Sequence, residues 1–518
     1  MKTIKNIVIV GGGTAGWSTA INFLNRTKED FNIKVISSIE KPIIGVGEST
    51  TGQFWSVLNL PNARVKIDVR DFLKKTSSTF KLGIKHTDWF EKGKSFYSPI
   101  GDNYYTDTVY PDRLYDAYRI YHVANKLDFD TNIQSTLMKK NKLHFTRKGE
   151  DIFENDWHKG FYPIAFHLDT YKVGQYLKEK SLLQSNCEYI EGEVEDFSID
   201  NEGLVTTLKL KNGQTVEGDL FVDCSGFSRI LIDKIEKNKF TSYENELLVN
   251  RAIPFYVENR KEEPIRNYTH AWAQKHGWLW EIPTQERLGC GYVYSDKHTT
   301  PEKAQEEIET VLGHKIEPRA DIKFNTGRLE KFWIKNVLST GLASAFIEPL
   351  EATSIHSTII QVSYFIENFF KKEMPLNLNI MQERYNKNLT DMWDNIKDFI
   401  VYHYITPRND TDFWIESSSV ERRSEDLKHK IEMWKYRMPR TVDFTTDKSN
   451  HFYSIGNTLW YQIAIGMNLL TPKIAKDELE SYYMYENTEK AYYDIKKKVD
   501  DDMINNVFID TNEYFNSL

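Results

Sequence analysis

A β-branched run at residues 4–10 stops at Gly11-Gly-Gly-Thr-Ala-Gly16-Trp17, apolar residues then recur at helical spacing over 18–24, and a second β-branched run follows at 33–36. The order is strand, tight turn, helix, strand. In such a unit Gly11 permits the turn, Gly13 lets the backbone approach a pyrophosphate and Gly16 lets the helix pack closely. Thr14 and Ala15 open the helix, whose first N–H groups reach phosphate oxygens. The unit predicts an α/β chain with a Rossmann-like GxGxxG fold that binds a dinucleotide. The competing reading is a glycine turn that only packs a helix. An acidic residue normally ends the second strand and grips the ribose. Here Ser37 and Ser38 stand there, with Glu40 slightly beyond, and Ser38 is assigned to that contact.

The chain has 518 residues, long for one core, so several lobes or one interleaved enzyme are expected. With 67 basic and 75 acidic residues the net charge is -8, which offers no electrostatic reason to expect nucleic acid or an anionic membrane. Lys2 and Lys5 before an apolar run resemble the start of a signal peptide, but the run ends at Gly11, too short for one. No stretch reaches the length that spans a bilayer. Cys187, Cys224 and Cys290 are too far apart for a CxxC metal site, and three thiols cannot pair fully. A cytoplasmic protein with no metal site is expected.

Three further stretches carry chemistry-bearing residues. In Phe80-Lys81-Leu-Gly-Ile-Lys85-His86-Thr-Asp-Trp89 the apolar residues alternate with Lys81 and Lys85, so as a strand both lysines share a face, most simply a solvated one. Trp278-Leu-Trp280-Glu-Ile-Pro283 places two indoles on one strand face, an arrangement commonly used for core packing. Ala343-Ser-Ala-Phe-Ile-Glu348-Pro-Leu-Glu351-Ala-Thr353-Ser354 leads into helical spacing over 354–370, so a helix begins near Glu351 and its free amides and dipole make an anion site or an acid-capped terminus. A fourth stretch, Gly45-Val-Gly-Glu48-Ser49-Thr50, reads by itself as a loop turn.

Together these motifs resemble the flavin-dependent halogenases of the tryptophan-halogenase type. The resemblance spans about residues 4–470 and includes Phe166-His167-Leu-Asp169, Phe221-Val-Asp223-Cys-Ser-Gly226-Phe227, Gly289-Cys-Gly-Tyr-Val-Tyr294, and 398–400 through Pro407-Arg408 to Trp414. It implies an FAD-binding fold of the flavin monooxygenase type with a mainly helical C-terminal substrate module. The segments expected are 1–100 for FAD and the lysine strand, 101–160 as a substrate-side insertion, 161–375 for FAD, the WxWxIP strand and the halide loop, and 376–518 as the helical module. The tail after Thr471 reads as a packed outer layer.

By resemblance, Lys81 stands at the end of a channel from flavin to substrate, where its ammonium hydrogen-bonds hypohalous acid or its amine forms a haloamine; lysine suits both roles and arginine does not. Glu351 pairs with that lysine, Thr353 and Ser354 hold the halide, and Trp278, Trp280 and Pro283 bar the organic substrate from the flavin. Glu48, Ser49, Val194, Leu342 and Ile355 join the glycine turn and Ser38 in contacting the cofactor. The implied reaction uses FADH2, O2 and a halide to make hypohalous acid, which halogenates an aromatic ring. Because only one GxGxxG element is present, the FADH2 is expected from a separate flavin reductase.

The chain departs from the tryptophan-specific pattern in three places. Those members carry a His after the Phe-Tyr of a loop, whereas this chain reads Phe96-Tyr97-Ser98-Pro99-Ile100-Gly101. Region 440–460 does not reproduce their amino-acid clamp. Their halide motif ends Glu-Ser-Thr-Gly, and here it is Glu351-Ala-Thr353-Ser354. The expected substrate is therefore an indole- or phenol-like small molecule without the amino-acid head, with bromide or iodide as candidate halides. An FAD aromatic monooxygenase, which would not need Lys81, is the nearest alternative. A non-catalytic FAD-binding redox module is the alternative of another class. The oligomeric state is left open, a homodimer among the options.

Overall fold

A computed structural model of the chain describes all residues except 1, 29–30, 39–47, 61, 101–113, 128–131, 153–163, 258–262, 376, 445–454, 484–486 and 506–507, together with the side chains of 114–118, 441 and 457. Glu40, Gly45, Gly47 and Gly101 lie outside the described residues, as do residues 445–454 of the clamp region. The chain divides into two compact units, each assembled from separate stretches: 1–78, 168–244 and 325–394 form one, and 79–167, 245–324 and 395–518 the other.

The first unit is built on a six-stranded sheet in the order Cys187–Glu191, Asn32–Ser37, Asn6–Val10, Leu220–Asp223, Val337–Ser339, Trp333–Ile334. All neighbours run parallel except the last pair. Parallel strands are covered on both faces, which is why they read as unbroken β-branched runs: Ile7, Val8 and Ile9 have no exposed surface. On one face Val8, Val10 and Ile36 pack into a core with Val194, Val205 and Leu208 from an antiparallel three-stranded meander. The helix Thr14–Arg26 returns from the central strand, and its Asn22 side chain donates to Ile359 O at 3.3 Å and to Ser363 Oγ at 2.9 Å on the helix Thr353–Asn368.

The second unit is built on a seven-stranded sheet in the order Ile322–Lys323, Arg251–Val257, Leu288–Tyr294, Gly277–Pro283, Tyr268–Ala273, Gly83–Thr87, Ser95–Pro99. Only the pair Gly83–Thr87 and Tyr268–Ala273 is parallel. The Phe-Tyr-Ser-Pro stretch, expected as a loop, is therefore an edge strand. C-terminal helices over Asp412–Ser417, Glu425–Met433, Asn457–Gly466, Pro472–Ser481 and Thr488–Ile504 belong to this unit. The tail is more than an outer helical layer, because Phe508–Asp510 pairs with Lys142–Thr146 as a strand. Among the described residues no helix is long and apolar enough to cross a membrane.

Candidate active site

In the first unit the glycine turn behaves as its sequence implies. Gly11 has φ +121°, and a Cβ there would stand 2.3 Å from Cys224 O; a Cβ on Gly16 would stand 1.8 Å from Gly11 O. Both positions need glycine, one for the turn and one for close packing. Gly13 differs: a Cβ there would meet no atom within 4 Å, and no side chain caps the helix that starts at Thr14. Uncapped first-turn amides beside an unscreened α-carbon fit the pyrophosphate of a dinucleotide. Thr14 Oγ1 is turned away, donating to Thr170 O at 3.2 Å.

Beyond the second strand, the Tyr189 hydroxyl donates to Ser37 O at 3.2 Å, and Lys178 lies 3.4 Å from the Tyr189 ring centre. Ser38 follows this packed strand end and is half-buried. Glu48 and Ser49 form a short strand. Burial raises the Glu48 carboxyl to about 7. Three residues on, Thr51 Oγ1 lies 2.8 Å from His356 Nδ1, and burial lowers that imidazole to about 4, so it is neutral at pH 7. The segment after Glu48 is thus tied to the first turns of Thr353–Asn368.

That helix starts two residues later than its spacing predicts. Ala352 precedes it in the left-handed region at φ +55°, no side chain caps it, and its first turn has no acidic residue. Glu351 is therefore not an acid cap; it sits in the turn before the helix, half-buried, with Thr353 buried and Ser354 half-buried. A non-glycine residue in this conformation costs about 1 kcal/mol or more, a strain that clusters at functional sites. Gly341, at φ +63°, brings the turn Gly341–Ala343 against the start of the other helix, Thr14–Arg26: its Cβ would lie 3.0 Å from Ala15 Cβ. Leu342 in that turn is half-buried and Ile355 is buried, while Val194 lies in the core. Asp223, within one of the matching motifs, accepts from Leu231 N at 2.8 Å and Ile232 N at 3.0 Å, so it fastens a loop.

In the second unit the expected continuous lysine strand is two strands in different sheets. Thr79–Lys81 pairs with the strand Ala165–Leu168, Lys81 opposite Ala165; Leu82 donates its N–H to Asn267 O at 2.8 Å, and Gly83–Thr87 joins the large sheet. The switch removes the lysine face read from alternation: Lys81 is only 1% exposed, whereas Lys85 is half-exposed. A solvated edge is excluded for Lys81. Thr79 Oγ1, two residues before it, donates to Pro283 O at 2.5 Å, which ties the lysine segment to the end of the tryptophan strand.

Trp278 and Trp280 are buried on Gly277–Pro283, with ring centres 6.3 Å apart. The indole of Trp280 lies across Gly291 on the neighbouring strand, where a Cβ would come within 2.1 Å of the ring. Trp89 continues the aromatic layer at 6.2 Å from Trp278.

One buried group here escaped the reading of the sequence. His86 stacks on Phe96 with ring centres 4.7 Å apart and an interplanar angle of 11°, and lies 5.6 Å from His403. Burial, then His403, His270 and Lys81, hold it far below the usual imidazole value, so it is neutral. Its signal was a histidine one residue from Lys85 on the apolar side of the alternation, which periodicity reads as plain core. The structure thus gathers the glycine turn, residues 48–51, Leu342 and Thr353 to Ile355 in one unit, and Lys81, His86, Trp278, Trp280 and Pro283 in the other.

Residues 6–479 match the family described as Tryptophan halogenase. The chain is 27% identical to the tryptophan 6-halogenase ThaL of Streptomyces albogriseolus over 96% of both chains. It is 26% identical to the tryptophan 7-halogenase RebH of Lentzea aerocolonigenes over 91% of this chain and 92% of that one. Its structure resembles BrvH, a flavin-dependent halogenase from Brevundimonas sp. BAL3, with a TM-score of 0.79, 26% identity and full coverage of both chains. With a dinucleotide-binding α/β unit and a buried lysine tied to a paired-tryptophan strand, the chain belongs to the tryptophan halogenase family of flavin-dependent enzymes.

Proposed function

We propose that the protein halogenates an aromatic small molecule, indole- or phenol-like, in a reaction that consumes FADH2, O2 and halide. The observation that carries the reading is Lys81, a lysine buried to 1% exposure and tied through Thr79 and Pro283 to the Trp278/Trp280 strand. A lysine withdrawn from water at this motif position has a use other than solubility. The named relatives act on tryptophan at its 6 or 7 position. Here the chain lacks the histidine after Phe96-Tyr97, which favours a ring without the amino-acid head.

Gly11, Gly13, Thr14, Ala15, Gly16, Ser38, Glu48, Ser49, Val194, Leu342 and Ile355 are proposed to hold FAD. When bound and reduced, the cofactor would supply two of the four electrons that O2 takes up and the halide ion the other two: FADH2, O2, a halide ion and a proton give FAD, water and hypohalous acid. Thr353 and Ser354 hold the halide at the uncapped helix start, where the dipole favours an anion. Trp278, Trp280 and Pro283 exclude the organic ring by bulk. Lys81 presents the electrophile, by a donated hydrogen bond or as a haloamine, and Glu351 stabilises the cationic ring or takes the proton that restores aromaticity. Replacement of the motif's usual glycine by Ser354 supports bromide or iodide over chloride. A separate flavin reductase delivers the FADH2.

The test is mass spectrometry of a mixed indole and phenol panel with a flavin reductase, NADH, FAD and each halide in turn. Halogen isotope patterns on one scaffold are expected. Hydroxylated product with no halogen under every halide would establish the monooxygenase instead, and flavin retained without turnover would point to a binding module.

A further inference from the structure

The back of the tryptophan strand carries a side-chain chain that the halogenation reading does not use. Successive residues of a strand face opposite sides of its sheet. Trp278 and Trp280 therefore point one way from Gly277–Pro283, and Glu281 points the other. Glu281 stands opposite His270 on Tyr268–Ala273, and that strand runs parallel to Gly83–Thr87 with Trp272 opposite Thr87. Across the three strands His270 Nδ1 lies 2.7 Å from Glu281 Oε2, and His270 Nε2 lies 2.8 Å from Thr87 Oγ1. Arg266 donates to the same Glu281 oxygen at 2.9 Å.

The polarity of the chain follows from its ends. A carboxylate only accepts, so Nδ1 of His270 carries a proton. In the neutral ring Nε2 then accepts from the Thr87 hydroxyl. Burial alone would raise the Glu281 carboxyl, yet the His270 hydrogen bond and the Arg266 charge bring it down to about 2, so it stays ionised. Trp272 stacks on His270 with ring centres 5.7 Å apart at 17° and donates its Nε1 proton to Asp88 Oδ2 at 2.8 Å, which limits rotation of the imidazole. A partly buried, charge-anchored chain of this kind is stronger and more directional than isolated surface bonds.

We propose that Thr87, His270 and Glu281 are positioning residues that lock the tryptophan strand to the strand following Lys81, and so set how much of the oxidised halogen reaches the aromatic substrate. The inference rests on the roles proposed above for Lys81 and the two tryptophans. A loosened tryptophan strand lets hypohalous acid escape, so flavin is consumed without product.

The experiment compares His270→Phe, which keeps the stack on Trp272 and removes both hydrogen bonds, with His270→Gln, which keeps a donor toward Glu281 and an acceptor toward Thr87. Two readouts are taken on the full-length protein: halogenated product per flavin oxidised, and hydrogen–deuterium exchange of the peptide spanning 277–283. Expected for His270→Phe are a five- to tenfold loss of product per flavin and faster exchange confined to that peptide, with at least half of both restored in His270→Gln. If His270→Phe does not fold, Thr87→Val replaces it, with a two- to threefold loss and the same local exchange expected. Unchanged exchange and coupling within the error of wild type in the folded variant would overturn the proposal, as would equal loss in His270→Gln. If the enzyme makes no halogenated product, the halogenation reading fails while the exchange result still reports on the positioning chain.

Discussion

At the glycine turn the proposed chemistry belongs to the backbone, since amides 13–16 and the absence of Cβ atoms would do the recognising, whereas at Lys81 the proposed chemistry belongs to one side chain whose surroundings come from distant stretches. The turn's glycines lie within a short segment; its long-range requirements include the close approach of Cys224 O to Gly11 and of Ser37 to Gly12. The lysine is defined by the strand Ala165–Leu168, by Asn267 and by the end of Gly277–Pro283. A site made of local backbone declares itself in a motif. A site made of one buried side chain declares itself only by its neighbours.

Substitutions separate the two kinds of site. The largest effect is expected from Lys81→Ala, which should lower halogenated product about a thousandfold while flavin oxidation continues; mass spectrometry alongside flavin absorbance checks it, and full product would remove Lys81 from the chemistry. Next, Gly16→Ala should destabilise the fold by about 3 kcal/mol, because its Cβ meets a backbone oxygen, whereas Gly13→Ala should leave the melting temperature unchanged and weaken FAD binding about tenfold, or about 1.4 kcal/mol. Thermal unfolding and flavin fluorescence titration decide whether the turn really divides into packing and ligand glycines. Gly291→Ala should cost about 2 kcal/mol by displacing the Trp280 indole, with a loss of product per flavin and no change in FAD affinity.

The smallest expected effect on FAD binding is a pH dependence. Glu48 holds its proton up to about 7 in the fold against a reference value of 4.5. Its contribution to stability is therefore whole below 4.5 and is lost as pH rises through 7, up to about 3 kcal/mol in the limit. As an added negative charge in a segment assigned to FAD, ionised Glu48 should weaken FAD binding a few-fold between pH 6 and pH 8. Glu48→Gln should flatten that profile, and an unchanged slope in the variant would take Glu48 out of the flavin site.

Much of the first unit is legible in the sequence. The strands near 4–10 and 33–36 appear as Asn6–Val10 and Asn32–Ser37, and the intervening helix as Thr14–Arg26. Burial on both faces leaves a continuous β-branched run, which its short length and the glycines that follow distinguish from a buried helix. The helix near Glu351 was readable in kind, but its start was displaced to Thr353 by the left-handed Ala352, a conformation that alanine does not advertise. The second unit is less legible. Alternation made one strand of residues 80–86, and nothing local announced the change of sheet at Leu82 that buries Lys81.

Patterns with a period, such as strand runs, helical spacing and the glycine turn, are written in consecutive residues because they answer to backbone geometry, which is the same in every fold. Burial of Lys81, the neutral imidazole of His86 and the Thr87–His270–Glu281 chain arise from residues far apart in the sequence: Thr87 and Glu281 are 194 positions apart, and His86 and His403 are 317 apart. The charge states of His86 and Glu281 follow from desolvation and from partners brought by other elements, and neither exists until the chain has folded.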